Sequence, residues 1–230
     1  MKLKHYIIQI DTATEVCSVS ISIEGVTLDQ IQSSEPNMHA SLLTSYVEQI
    51  LSRNNLRFSD VSAVAVSMGP GSYTGLRIGV STAKGLCYAL DIPLIGINTL
   101  ESMYQGFVRD FNVNSDSLYF PMIDARRMEV YTMAFNAHGK QVIPTQAKII
   151  DELSFTEFQA KEVYLFGSGA IKFQNLFNSN PQINIISAFQ HSSVYMSEMA
   201  WQRFQAHDVE NLIYFEPYYL KEFVASTPKR

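Results

Sequence analysis

The chain has 230 residues, nearly half of them hydrophobic, enough for one large core or two small ones. A net charge of −5 argues against a chain that grips a nucleic-acid backbone by itself, and its basic residues form no run along the sequence. No apolar stretch is long enough to span a bilayer, and the opening MKLKHYIIQID has no signal-peptide pattern. With only Cys17 and Cys87, far apart and both in apolar surroundings, buried thiols in a reducing cytoplasm are expected.

Tyr6 to Ile10 reads as a strand that ends at Asp11, followed by the turn Asp11-Thr12-Ala13-Thr14. Val16 to Ile23 alternates valine and isoleucine with serine, which predicts a half-exposed strand. Glu24-Gly25 returns the chain into a third strand, Val26 to Ser33. Pro36-Asn37 opens a helix whose apolar face carries Leu42, Leu43, Tyr46, Val47, Ile50 and Leu51.

The most informative stretch runs from Val61 to Thr99. A β-branched strand leads into Gly69-Pro70-Gly71-Ser72, a tight turn with Ser72 placed to cap a helix from Tyr73 to Leu90. Leu94 to Ile97 is the next strand, making a parallel crossover unit. Gly75, Gly79 and Ala83 recur every fourth residue, so one stripe of the helix is nearly bare. Each glycine costs a helix interior about 1 kcal/mol relative to alanine, which implies close approach of another backbone. The glycine spacing fits neither a P-loop nor a dinucleotide fingerprint. A helix from Leu100 to Val108 closes this half.

The same order then recurs. Strands are expected at Leu118–Ile123, ending at Asp124, at Glu129–Phe135 and at Gln141–Ile150, with a short helix near Leu153 to Gln159. A strand at Glu162–Phe166 precedes Gly167-Ser168-Gly169. A helix from Ala170 to Phe177, a strand Ile183–Ile186 and a helix Ser192–Gln205 follow. Asp11 matches Asp124, and Gly69–Gly71 matches Gly167–Gly169. Two tandem α/β units of ribonuclease-H-like type are therefore expected, residues 1–110 and 117–230, each with a mixed sheet flanked by helices.

A duplicated unit of this kind resembles the actin and sugar-kinase group of ATPase folds. GPGSYTGLRIGVSTAKGL, IDARRMEVY from Ile123 to Tyr131, PYYLKE from Pro217 to Glu222, IDTATEVCSVSI and His39 narrow the resemblance to the bacterial TsaB (YeaZ) family. Met128, where that family usually has glycine, and Lys221, where arginine is common, are departures. The resemblance implies a non-catalytic cytoplasmic dimerization subunit in formation of threonylcarbamoyladenosine beside the tRNA anticodon. It would pair with a TsaD-like transferase, with a TsaE-like ATPase joining them, form a homodimer when alone and meet tRNA only through the complex.

The resemblance also places the dimer surface on Leu42, Leu43, Tyr46, Tyr73, Leu76, Gly79, Val80 and Ala83, with Gly69, Gly71 and Ser72 forming the helix-terminal turn. On that view Gly79→Leu leaves a folded monomer that no longer pairs. No cofactor of its own and no metal are expected, because no two of the five histidines are three or four residues apart. The second reading is a small ATP-dependent kinase with Asp11, Thr12 and Thr14 at phosphate. Weak ATP or ADP binding there or at an interface is the matching cofactor expectation. Ser72 and Ser168 lack a patterned base, and Arg126, Arg127 and Glu129 are read as an interdomain salt-bridge network.

Overall fold

The computed structural model describes residues 4–34, 39–158 and 161–221; the helix start at Pro36-Asn37, Gln159, Glu222 and the Lys229-Arg230 tail lie outside them. The first sheet contains β1 (Tyr6–Asp11), β2 (Cys17–Ile23), β3 (Val26–Ser33), β4 (Val61–Gly69) and β5 (Leu94–Asn98). Its helices are α1 (His39–Arg53), α2 (Tyr73–Leu90) and α3 (Thr99–Asp110). The second sheet contains β6 (Leu118–Asp124), β7 (Glu129–Asn136), β8 (Gln141–Ile149), β9 (Val163–Phe166) and β10 (Ile183–Ile186). Its helices are α4 (Gln174–Phe177) and α5 (Ser197–Gln205).

The sheets have one topology, β3-β2-β1-β4-β5 and, reversed, β10-β9-β6-β7-β8. In each, the first three strands in sequence form an antiparallel meander and the last two add in parallel. Local chemistry sets the helix ends. Ser72 Oγ accepts from the Gly75 amide at 3.3 Å, capping α2, which stops at Asp91 in a left-handed conformation. Asn98 Oδ1 accepts from the amides of Leu100 and Glu101 and starts α3. The helix expected over 153–159 is a run of turns with one 3-10 turn, Thr156–Phe158. The one expected from Ala170 is a 3-10 turn running into α4.

The two halves exchange helices. The apolar side of α3, Leu100, Met103, Tyr104 and Phe107, packs with Tyr119, Phe135 and Phe166 of the second sheet. In return Met196 and Ala200, at the start of and within α5, pack on Ile7, Ala63, Ala65, Ile95 and Ile97 of the first sheet. This exchange corrects the expectation of a half-exposed β2. Ser18, Ser20 and Ser22 are buried because the segment leading into α5 covers their face, and Ser18 Oγ lies 2.9 Å from Ser193 Oγ. Serines survive there because each finds a partner, Ser20 and Ser22 pairing with the amide of buried Gln9.

Candidate functional site

Strand β1 delivers Asp11 to the centre of the molecule, where an ATPase of this fold would meet phosphate. Here the turn is filled by protein. Asp11 Oδ1 accepts from the Ala13 amide at 3.0 Å, and Oδ2 lies 2.5 Å from Nε2 of His191, which arrives just before α5. The side chains are 1% and 5% exposed, respectively. Thr12 Oγ1 donates to the Gly75 carbonyl at 2.7 Å, and the Ser72 amide donates to the Ala13 carbonyl at 2.7 Å. The bare stripe of α2 exists for this contact. A Cβ at Gly75 would strike the Thr12 carbonyl, one at Gly71 the Ala13 carbonyl, and one at Gly79 the Thr12 hydroxyl.

Two sequence expectations change as a result. Asp11, Thr12 and Thr14 do converge, but as a buried, internally bonded turn. Of the expected dimer surface, Leu43, Leu76, Gly79, Val80 and Ala83 are buried within the single chain, so none offers an outer face; Leu42, Tyr46 and Tyr73 are half-buried at the rim. The backbone that approaches the glycine stripe is the β1 turn, so Gly79 packs internally. The accessible side of α2 carries Thr74, Arg77, Ser81, Gly85 and Tyr88, and a Cβ at Gly85 would meet nothing within 4 Å. Tyr46, Ile78 and Leu86 lie half-buried at the edge of this side, against the first core.

The segment after α5 runs back along the first sheet. The Glu210 amide donates to the Leu94 carbonyl at 2.8 Å and the Tyr218 amide to the Met68 carbonyl at 2.7 Å, extending the backbone bonding of the first sheet. Lys84 Nζ holds the Phe215 carbonyl at 2.9 Å and Tyr219 packs on Tyr73 with ring centroids 4.8 Å apart, both across the halves, while Lys221 pairs with Glu129 at the start of β7. A shallow cavity of about 280 Å³ lies beside it, lined by Tyr73, Arg77, Lys84 and Phe215.

The equivalent turn of the second half is built differently. The Ala125 amide donates to the Glu129 carbonyl, the Glu129 amide to the Arg126 carbonyl, and Asp124 Oδ1 accepts from the Arg126 amide at 2.9 Å. Lys172 Nζ lies 2.5 Å from Asp124 Oδ1. Arg126 and Arg127 are exposed, and among the described residues neither pairs with a carboxylate. Among the described residues the expected interdomain network does not form: of its members Glu129 alone has an ionic partner, Lys221, which belongs to the same half. Basic residues scattered in sequence, Arg126, Arg127, Lys172 and Lys221, thus meet at one turn.

His191 is the residue of this site that sequence reading missed. A lone histidine 180 positions from its partner carries no spacing signal. Its Nδ1 is buried with no hydrogen-bond partner among the described residues, so no serine or cysteine completes a nucleophilic triad with the Asp11–His191 pair. Cys17 is close enough to feel Asp11, but burial first and that carboxylate second push its thiol up to about 11, the wrong direction for a nucleophile. Among the described residues no group of three or more histidine, cysteine or carboxylate side chains is gathered to hold a metal.

Two mixed sheets of common topology, joined by exchanged helices around a central turn, define a duplicated actin-like ATPase fold. The family model for TsaD, tRNA N6-adenosine threonylcarbamoyltransferase, matches residues 32–227. A tRNA threonylcarbamoyladenosine biosynthesis protein TsaB from Bacillus subtilis is 32% identical over 165 residues, 70% of each chain. That of Haemophilus influenzae is 26% identical over 95% of this chain and 94% of its own. The Escherichia coli protein of that name is 38% identical, but the match spans only 52% of its length. The solved structure of YeaZ from Pseudomonas aeruginosa superposes with a TM-score of 0.74, at 22% identity, over 94% of this chain and all of that one. The chain belongs to the TsaB (YeaZ) family, within the wider threonylcarbamoyltransferase group.

Proposed function

We propose that this chain is the non-catalytic assembly subunit of the machinery that forms threonylcarbamoyladenosine in tRNA. The observation that carries the reading is the sealed β1 turn. Asp11 and Thr12, which an ATPase or kinase of this fold would turn towards phosphate, are held by His191, Ala13 and Gly75. Opening the turn to admit a phosphate would break a buried hydrogen-bonded pair. Leaving a buried polar group without its partner costs about 1–3 kcal/mol, so the packed turn opposes phosphate entry. The same packing disfavours the kinase reading. Any ATP or ADP held by this protein binds outside the β1 turn, at an interface.

The role left to the chain is pairing, and the side that α2 leaves open, next to α1, is the surface we assign to a TsaD-like transferase. A TsaE-like ATPase joins that pair, and tRNA is engaged by the complex. In the absence of the transferase the same side supports a homodimer. Ser81, Gly85 and Ala89 are small and exposed there, so a partner helix can approach closely, with Tyr88, 81% exposed, at the edge.

Gly85 is the position to perturb, because its Cβ direction is empty in the single chain. Gly85→Leu should raise helix propensity by up to about 1 kcal/mol and leave the melting curve unchanged or slightly higher. Co-expressed with the TsaD-like paralogue, the variant should fail to co-elute in size-exclusion chromatography and should not support tRNA modification. Normal pairing by a folded Gly85→Leu chain would place the docking surface elsewhere.

A further inference from the structure

We propose that the exposed turn Arg126–Arg127 contacts an RNA phosphodiester backbone. The inference rests on the assembly reading above and names a surface through which the assembled complex meets tRNA. Asp11 and Asp124 end the central strands of two sheets with the same topology, so their turns are structural equivalents. The first is buried and hydrogen-bonded to internal partners. The second is exposed and cationic.

The charge count at the second turn is specific. Two carboxylates, Asp124 and Glu129, are each matched by a lysine, Lys172 and Lys221. That leaves both guanidinium groups of Arg126 and Arg127 without an acidic partner among the described residues, in a chain whose net charge is −5. Arg57 pairs with Asp60 and Arg109 with Asp110, while Arg203 reaches across to the Gly96 carbonyl. The loop that carries the pair is closed by the Ala125–Glu129 and Glu129–Arg126 backbone bonds and pinned by Asp124, so the two side chains are presented from a fixed frame.

Arginine suits such a place, because its planar fork can bond two phosphate oxygens at once. An extended polyanion is the partner that two adjacent, unmatched guanidiniums fit. Two or so phosphate contacts are too few for tight binding by the isolated chain, yet enough to alter binding in an assembly that supplies others. Met128 and Ile149 beside the turn are also exposed, so an acidic protein surface is the competing occupant that the experiment must separate.

The test uses the full chain reconstituted with the TsaD-like transferase and TsaE-like ATPase, and measures tRNA affinity across a salt series. Each phosphate contact contributes about 0.7–0.9 to the slope of log K against log salt, so Arg126→Ala/Arg127→Ala should lower the slope by roughly one to two. Affinity near 0.1 M salt should fall about tenfold, while the melting temperature and sedimentation of the complex stay unchanged. Arg126→Lys/Arg127→Lys should restore most of the slope. An unchanged slope overturns the proposal. So does a loss of tRNA binding that follows loss of assembly, which would identify a protein-docking surface. Should the wild-type chain fail to pair at all, the assembly reading falls separately. The slope comparison on the isolated chain at low salt then decides the turn's role.

Discussion

Substituting Gly79 by alanine tests whether the bare stripe of α2 serves the inside of the chain. A methyl group there would clash with the Thr12 hydroxyl and approach Thr12 Cβ at 3.6 Å and Ile10 Cγ2 at 3.7 Å. Thr12 cannot rotate away freely, because its hydroxyl is buried and bonded to the Gly75 carbonyl at 2.7 Å. Displacing it loses about 1 kcal/mol or more for the bond, and overpacking a filled core typically costs about 1–3 kcal/mol. Removing a helical glycine returns at most about 1 kcal/mol. The net expectation is a loss of about 2 kcal/mol, or roughly 4–8 °C in melting temperature for a chain of this size. Urea titration followed by circular dichroism would measure it. Thr12→Ala removes the obstructing oxygen and costs about 1 kcal/mol alone, so adding Gly79→Ala to it should be nearly free. The coupling between the two should be about 2 kcal/mol. Stabilisation of the single variant by about 1 kcal/mol, the pure helix-propensity result, would refute the internal packing and return Gly79 to the outer surface.

His191→Ala strips buried Asp11 of its partner and should cost about 2 kcal/mol in urea unfolding; a loss under about 0.5 kcal/mol, the size of an ordinary surface change, would mean the pair does not hold the halves together. Phe107→Ala, on a helix of the first half but in the core of the second sheet, should cost about 3–5 kcal/mol, and a surface-like response would contradict the helix exchange. Burial pushes the thiols of Cys17 and Cys87 up, to about 11 and about 12. At pH 8 roughly one Cys17 in a thousand is thiolate, so Ellman's reagent should titrate neither cysteine until denaturant is added.

Periodicity and turn chemistry were sufficient to place the strands, because apolar alternation and β-branched runs report a local requirement that each strand must meet wherever it ends up. The repeat of that pattern, with Asp11 against Asp124 and Gly69–Gly71 against Gly167–Gly169, made the duplication legible too. The glycines at 75 and 79 announced a close backbone approach, since only that explains repeated glycine inside a helix. Which backbone approached was not written locally. The partner proved to be the β1 turn some sixty residues earlier, because the crossover packs the start of α2 over the end of β1. In the same way the serines of β2 read as solvent-facing until the chain beyond His191 returned to cover them. His191 beside Asp11, and four cations around the second turn, are encounters between residues far apart in sequence. No spacing rule encodes them: the exchange of α3 and α5 between the sheets brings His191 to Asp11, and the chain after β9 and the segment after α5 carry Lys172 and Lys221 to the second turn.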